Sequence, residues 1–115
     1  MRFEFARGRR VGRDLERIYD FLFVSYMEFG ESADEADERA AKRVEGIEAA
    51  MERLAAHPHQ GTLHPELMPG LRSVTKDRAV FYFIVDEEAR TVRVLAVFFG
   101  GREHQREMLM RLAVK

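Results

Sequence analysis

The 115-residue chain contains no cysteine and no tryptophan and only three prolines. No apolar run approaches the roughly 18 residues that a membrane span requires. Without cysteine, disulfides and thiolate metal ligands are excluded, and a reducing cytoplasm is the expected compartment. The opening Met1-Arg2-Phe3-Glu4-Phe5-Ala6-Arg7 is charged throughout and lacks the apolar block of a signal peptide. Charge of one sign is also missing in sum: the formal net charge is −1, which names no partner. What is present is 46% hydrophobic and 34% charged residues, the balance of a folded, well-solvated chain. The length predicts one domain over residues 1–115, within the usual range of about 100–150, and the element order below makes it α+β.

The charge is unevenly distributed. Residues 1–13 carry Arg2, Arg7, Arg9, Arg10 and Arg13 against Glu4 alone, for +4. Residues 14–66 carry −8, and residues 67–115 carry +3. Basic ends around an acidic middle create a positive face if the ends meet in space, and such a face steers an anionic partner. Alternatively, the blocks pair with each other and only solvate the surface.

Periodicity assigns the elements. Arg2 to Phe5 alternates polar and apolar, as a short strand does. Leu15, Ile18, Tyr19, Leu22, Tyr26 and Phe29 recur at helical spacing, which predicts a helix from Val11 to Phe29, stopped by Gly30. Ser32-Ala33-Asp34-Glu35 reads as a capping box, and the acids that follow suit the positive end of a helix dipole. Ala40, Val44, Ile47, Met51 and Leu54 form the buried seam of this second helix. Gly46 interrupts it at a cost of about 1 kcal/mol relative to alanine, and Pro58 ends it near His57. The short link predicts an antiparallel helical hairpin.

A turn-rich connection spans His57 to Gly70 and holds all three prolines. Three strands are predicted beyond it, at Leu71–Thr75, Val80–Val85 and Val92–Phe99. The second is apolar throughout, as a strand covered on both faces would be. Strict alternation in the third puts Val92, Val94, Ala96 and Phe98 on one side and Arg93, Leu95, Val97 and Phe99 on the other. A final helix over Glu103–Leu112 is expected to make apolar contacts through Met108, Leu109 and Leu112. The order β-α-α-β-β-β, with this short C-terminal helix, predicts a helical hairpin packed on one face of a small antiparallel sheet whose edge the first strand joins.

Chemistry-bearing motifs are few. His57, His59 and His64 cluster in the connection, but their spacing matches no structural zinc pattern and no metal is assigned. Gly100-Gly101 lacks the flanking pattern and the lysine of a phosphate loop. No Gly-x-Ser-x-Gly or His-Glu-x-x-His is present, and no cofactor is expected. The remaining signal is a basic set on the sheet half: Arg72, Lys76, Arg78, Arg93, Arg102 and Arg106, with His104 close behind. Strand parity puts Arg72 and Lys76 on one face, and Arg102 is expected to approach them from the end of a neighbouring strand. Such a cluster suits a phosphate backbone or an acidic protein segment, or serves as strand-edge charge that discourages aggregation. For RNA cleavage, the arginines would stabilise charge on the phosphate and His104 would move a proton.

Several segments resemble one family. Asp14-Leu15-x-x-Ile18-Tyr19-x-Phe21-Leu22 opens the first helix, Leu54-x-x-His57-Pro58-x-x-Gly61 closes the second, and Pro69-Gly70-Leu71-Arg72 opens the sheet. Phe81-Tyr82-Phe83-Ile84-Val85-Asp86, Val92-Arg93-Val94-Leu95-Ala96-Val97 and Phe99-Gly100-Gly101-Arg102-Glu103 follow. In this order they are similar to the ParE/RelE superfamily, the toxins of type II toxin–antitoxin modules, also labelled plasmid stabilisation proteins. Each motif is weak by itself; order and spacing carry the likeness.

The resemblance implies a fold of two helices on a small sheet and a cognate antitoxin that wraps the domain. It also implies one of two activities. ParE-like members bind and poison DNA gyrase without a comparable catalytic set. RelE-like members cleave messenger RNA on the ribosome with arginines, lysines and a proton-transfer group. Arg102 matches the RelE-type arginine, and Arg78 or Ala79 stands where another is expected. The usual lysine pair is reduced to Arg72 and Lys76, and the downstream tyrosine position falls at or near Met108. The hairpin motifs and the His-Pro-x-x-Gly element look more like ParE, so a gyrase inhibitor is the expectation. In it, Arg72, Lys76, Arg78, Arg102 and Arg106 meet target or antitoxin. The alternatives are a nuclease using Arg72, Arg78, Arg102 and His104, or a non-toxic relic that only binds an antitoxin.

Overall fold

The structure is a computed structural model that describes residues 2–100 and 104–113. Strand β1 (Glu4–Arg7) leads into helices α1 (Val11–Glu28) and α2 (Ala33–Glu52), the latter closed by a 3₁₀ turn at Arg53–Ala56. Strands β2 (Thr62–Leu63), β3 (Arg72–Lys76), β4 (Ala79–Asp86) and β5 (Thr91–Phe99) follow, then helix α3 (His104–Ala113). No described helix is long and apolar enough to cross a membrane.

The capping box forms as its sequence predicts. The Glu35 N–H donates to Ser32 Oγ at 3.2 Å, and the Ser32 N–H donates to Glu35 Oε1 at 2.9 Å. Two contacts bind α1 to α2: Tyr19 donates to Asp37, and the Arg39 guanidinium lies 4.2 Å from the Tyr26 ring centre. Of the expected α1 stripe, Leu15, Ile18 and Leu22 are buried and Tyr19 and Tyr26 half-buried. Phe29 is 87% exposed, because α1 ends at Glu28 and the next residue turns away from the hairpin seam.

The sheet order is β1-β5-β4-β3-β2. Its pairs are antiparallel except the outermost: β1 runs parallel to β5, with Phe5 opposite Val92 and Arg7 opposite Val94. The first strand joins the edge of a mostly antiparallel sheet as expected; the correction is its parallel direction. No tight turn links these two strands, so no hairpin dictates their direction. It is set by α1, which continues alongside the second half of β5. Gly8 N–H donates to the Val94 carbonyl at 2.7 Å, and Asp14 then meets Val97.

A second correction concerns β5. Tyr82 pairs with Ala96 but Phe83 pairs with Val94, so Leu95 is an extra residue, a β-bulge. The bulge reverses parity half-way along the strand. Val92, Val94 and Val97 face the helical hairpin together with Phe81 and Phe83, while Leu95, Ala96 and Phe98 face the other side. That other side is covered in turn. Met108 of α3 is fully buried against Leu71, Tyr82, Ala96 and Phe98, which explains why β4 is apolar on both faces. Leu112 shares this contact, whereas Leu109 is 52% exposed, contrary to expectation. At 3.6 residues per turn it lies about 100° around the helix from Met108.

Candidate functional site

β5 is more than twice as long as β1, so its second half has no strand beside it on that edge. Here α1 and α3 supply the missing partners. Asp14, only 3% exposed, accepts from the Val97 N–H at 3.0 Å. The Arg111 guanidinium donates to both Asp14 oxygens, at 2.6 and 2.8 Å, and to the Leu95 carbonyl at 3.0 Å. The bulge is thus satisfied by one carboxylate and one fork. The Asp14 hydrogen bond pushes the Arg111 pKa above its ordinary value, so the cation is permanent.

Above this pair, a cleft of about 180 Å³ runs between α1 and the end of β5 towards His104. His104 stacks on Phe98, with ring centres 5.1 Å apart and planes 11° apart. Its Nε2 donates to the Gly100 carbonyl at 2.9 Å, and the buried Nδ1 has no partner among the described residues. The Gly100 N–H donates to the Arg78 carbonyl, so Arg78 and His104 belong to the same end of the sheet.

Arg78 sits at the tip of the β3–β4 hairpin. Asp77 and Arg78 both have positive φ, 55° and 70°, as a two-residue type I′ turn demands, yet neither is glycine. The Arg78 guanidinium reaches 5.5 Å from the Phe99 ring centre, and Arg43 of α2 lies 5.3 Å from the same ring. Arg43 is fixed by donating to the Asp77 carbonyl at 3.0 Å. Phe21 of α1, half-exposed, approaches Phe99 at 6.2 Å. Four elements therefore build a corner of two aromatic rings flanked by two guanidinium groups.

The other expected site residues are placed differently. Arg72 shares the hairpin-facing side of β3 with Val74 and Lys76, as parity predicts. Its guanidinium, however, is turned onto the connection, donating to the His59 and Gln60 carbonyls at 2.8 and 3.4 Å. It stands four residues, about 13 Å, along β3 from Lys76 and the hairpin tip. Arg102 lies outside the described residues, and with it the expected convergence of Arg72 and Arg102. Lys76 and Arg106 are exposed. The three histidines diverge: His57 is exposed, His59 meets Glu87 at 2.5 Å, and His64 is buried with its Nε2 2.6 Å from Ser73 Oγ. Among the described residues no group of three ligating side chains is arranged to hold a metal ion. Beside His64, burial raises the Tyr82 phenol above its ordinary pKa, with a smaller contribution from Glu66.

The family description "ParE toxin of type II toxin–antitoxin system, parDE" matches residues 8–104. The chain belongs to the ParE toxin family. Among solved structures, the chromosomal ParDE toxin–antitoxin system from P. aeruginosa is similar over 86% of this chain and 97% of that one, with 23% identity and a TM-score of 0.66. The RelBE2 toxin–antitoxin complex from Mycobacterium tuberculosis is similar over 89% and 95%, with 16% identity and a TM-score of 0.56. At such identities these likenesses show the shared fold. No curated protein matches the sequence.

Within the ParE frame, the motif residues acquire physical reasons. Asp14 is the acid that caps β5, and Gly61 of the His-Pro-x-x-Gly element has φ +85°, where a Cβ would sit 2.3 Å from the Ser73 carbonyl oxygen. Arg111, the partner of Asp14, lies beyond the matched residues. Sequence reasoning missed Arg43, Phe99, Phe21 and Arg111 as site residues. Phe21 and Phe99 stood in the family-like motifs without a role, and no local pattern pointed to Arg43 or Arg111.

Proposed function

We propose that this ParE-family toxin inhibits DNA gyrase by binding it and is held silent by a cognate antitoxin. The observation that carries the reading is the corner of Phe21 and Phe99 flanked by Arg43 and Arg78. Half-exposed aromatics beside arginines are the composition of protein-binding hot spots. Lys76, Arg78 and Arg106 supply exposed positive charge that steers an acidic protein surface. α1 also exposes a short apolar row, Val24 and Met27, one turn apart, and Phe29 is exposed just past its end. That row suits the amphipathic segment of an antitoxin. β2, only two residues long, leaves the outer edge of β3 from Val74 to Lys76 open to main-chain pairing. Gyrase being cytoplasmic, the toxin acts there.

Supercoiling by purified gyrase tests the reading. Added toxin is expected to block supercoiling, and prior mixing with antitoxin to restore it. Full supercoiling at saturating toxin would rule gyrase out.

A RelE-like ribosome-dependent endonuclease remains the second reading, favoured by the meeting of Arg78 and His104 at Gly100. In that case Arg72 would have to leave its two carbonyls to join them. Replacing Arg102 and His104 together by alanine would abolish message cleavage on ribosomes, whereas unchanged toxicity of the pair variant excludes the nuclease.

A further inference from the structure

We propose that the cleft at the start of α1 binds the phosphodiester backbone of a nucleic acid through Arg9, Arg10, Arg13 and Arg17. The cleft encloses about 460 Å³ and is lined by these four arginines together with Arg111 and Asp14. Its one acid is already taken, since Asp14 receives both terminal nitrogens of Arg111. The four remaining arginines are exposed, and among the described residues none of them forms an ion pair. Glu107 lines the adjoining cleft beyond Arg17 and acts on Arg111, the member already paired with Asp14.

Four like charges on one rim repel each other in the free protein, and a bound polyanion removes that repulsion. Arg13 and Arg17 stand four residues apart, about 6 Å along the helix. Arg9 and Arg10 continue the row into the preceding turn. Four uncompensated arginines lining one cleft fit the closely spaced charges of a phosphate chain better than the scattered carboxylates of a peptide. Every member is arginine, the side chain whose planar fork takes two phosphate oxygens at once. The contacts reach only the backbone, so the binding is sequence-independent. This surface occupies the first half of α1 and adjoins the Phe21 corner at Arg17, and its existence does not depend on gyrase being the target.

The test titrates the full-length protein against a fluorescein-labelled DNA duplex, a DNA single strand and an RNA strand, followed by anisotropy at several salt concentrations. Four phosphate contacts predict a slope of about −3.6 for log K against log salt on the duplex. The Arg9→Gln, Arg13→Gln, Arg17→Gln triple variant is expected to flatten that slope by about 2.7 and to weaken binding at least about tenfold at low salt. Circular dichroism checks that it remains folded. A control with the same charge loss elsewhere, Lys42→Gln, Arg53→Gln, Arg93→Gln, is expected to keep the original slope. No binding to any of the three probes overturns the proposal. So does a triple variant that binds as the parent does, or a control that loses as much. Displacement of the duplex by polyglutamate as effective as by unlabelled duplex also overturns it and identifies an acidic protein instead.

Discussion

Asp14 and Arg111, 97 residues apart, form a two-pronged ion pair that joins the first turn of α1 to the last helix across the bulge in β5. Both partners also bond the strand between them, Asp14 through the Val97 N–H and Arg111 through the Leu95 carbonyl. The pair therefore holds three elements in one register. It also keeps α3 over the second face of the sheet, where Met108 is buried.

Removing Arg111 leaves the buried Asp14 without its partner. Arg111→Met is expected to destabilise the fold by about 3–5 kcal/mol, since Asp14, 3% exposed, keeps an unpaired charge. Replacing both residues together, Asp14→Ala with Arg111→Met, is expected to lose less than the sum of the single changes. Urea denaturation of the four proteins in a double-mutant cycle measures this, and strict additivity would show that the two side chains act independently.

The capping box makes an acid-dependent contribution. Glu35 accepts from the Ser32 N–H, which holds its pKa below the ordinary glutamate value; the Ser32 hydroxyl contact adds to the shift. A carboxyl whose folded pKa is depressed stabilises the fold above its unfolded pKa, and loses that contribution as pH falls through the folded value. Glu35→Gln removes the titrating group, so its stability is expected to fall below the parent's at neutral pH and converge with it in acid. Thermal melts across the acid range check the sign.

Two glycines predict opposite outcomes. Gly61→Ala forces a Cβ into the Ser73 carbonyl at a positive φ, and should cost well over about 1 kcal/mol. A Cβ at Gly46, in the middle of α2, meets nothing within 4 Å. Gly46→Ala should therefore stabilise by roughly 0.5–1 kcal/mol. Paired denaturation curves test both.

Arg78 separates stability from function. A non-glycine residue at φ 70° is strained, so Arg78→Gly is expected to raise the melting temperature. The same change removes one of the two guanidinium groups around Phe99 and, under the gyrase reading, weakens inhibition of supercoiling. A variant both more stable and equally inhibitory would exclude Arg78 from the target surface.

Much of this was legible locally. Leu15, Ile18 and Leu22 at helical spacing, the Ser32–Glu35 box and the apolar run of β4 each encode their structure within a few residues, because periodicity and capping are short-range effects. The resemblance to ParE lay in the same local motifs. Phe29 and Leu109 were misread where a helix end or a rotation of one residue decides exposure.

The candidate site was less legible, because its members come from distant parts of the chain. Arg72 looks like a free cation until its turn onto the His59 and Gln60 carbonyls is seen. Arg43 and Phe99 have no pattern that joins them. Helix and strand identity follow from neighbours along the chain, which any window of residues contains. The parallel placement of β1, the parity change at Leu95 and the Asp14–Arg111 bond follow from neighbours in space. A single inserted residue reverses every side chain beyond it, and a salt bridge across most of the chain exists only after the layers have packed.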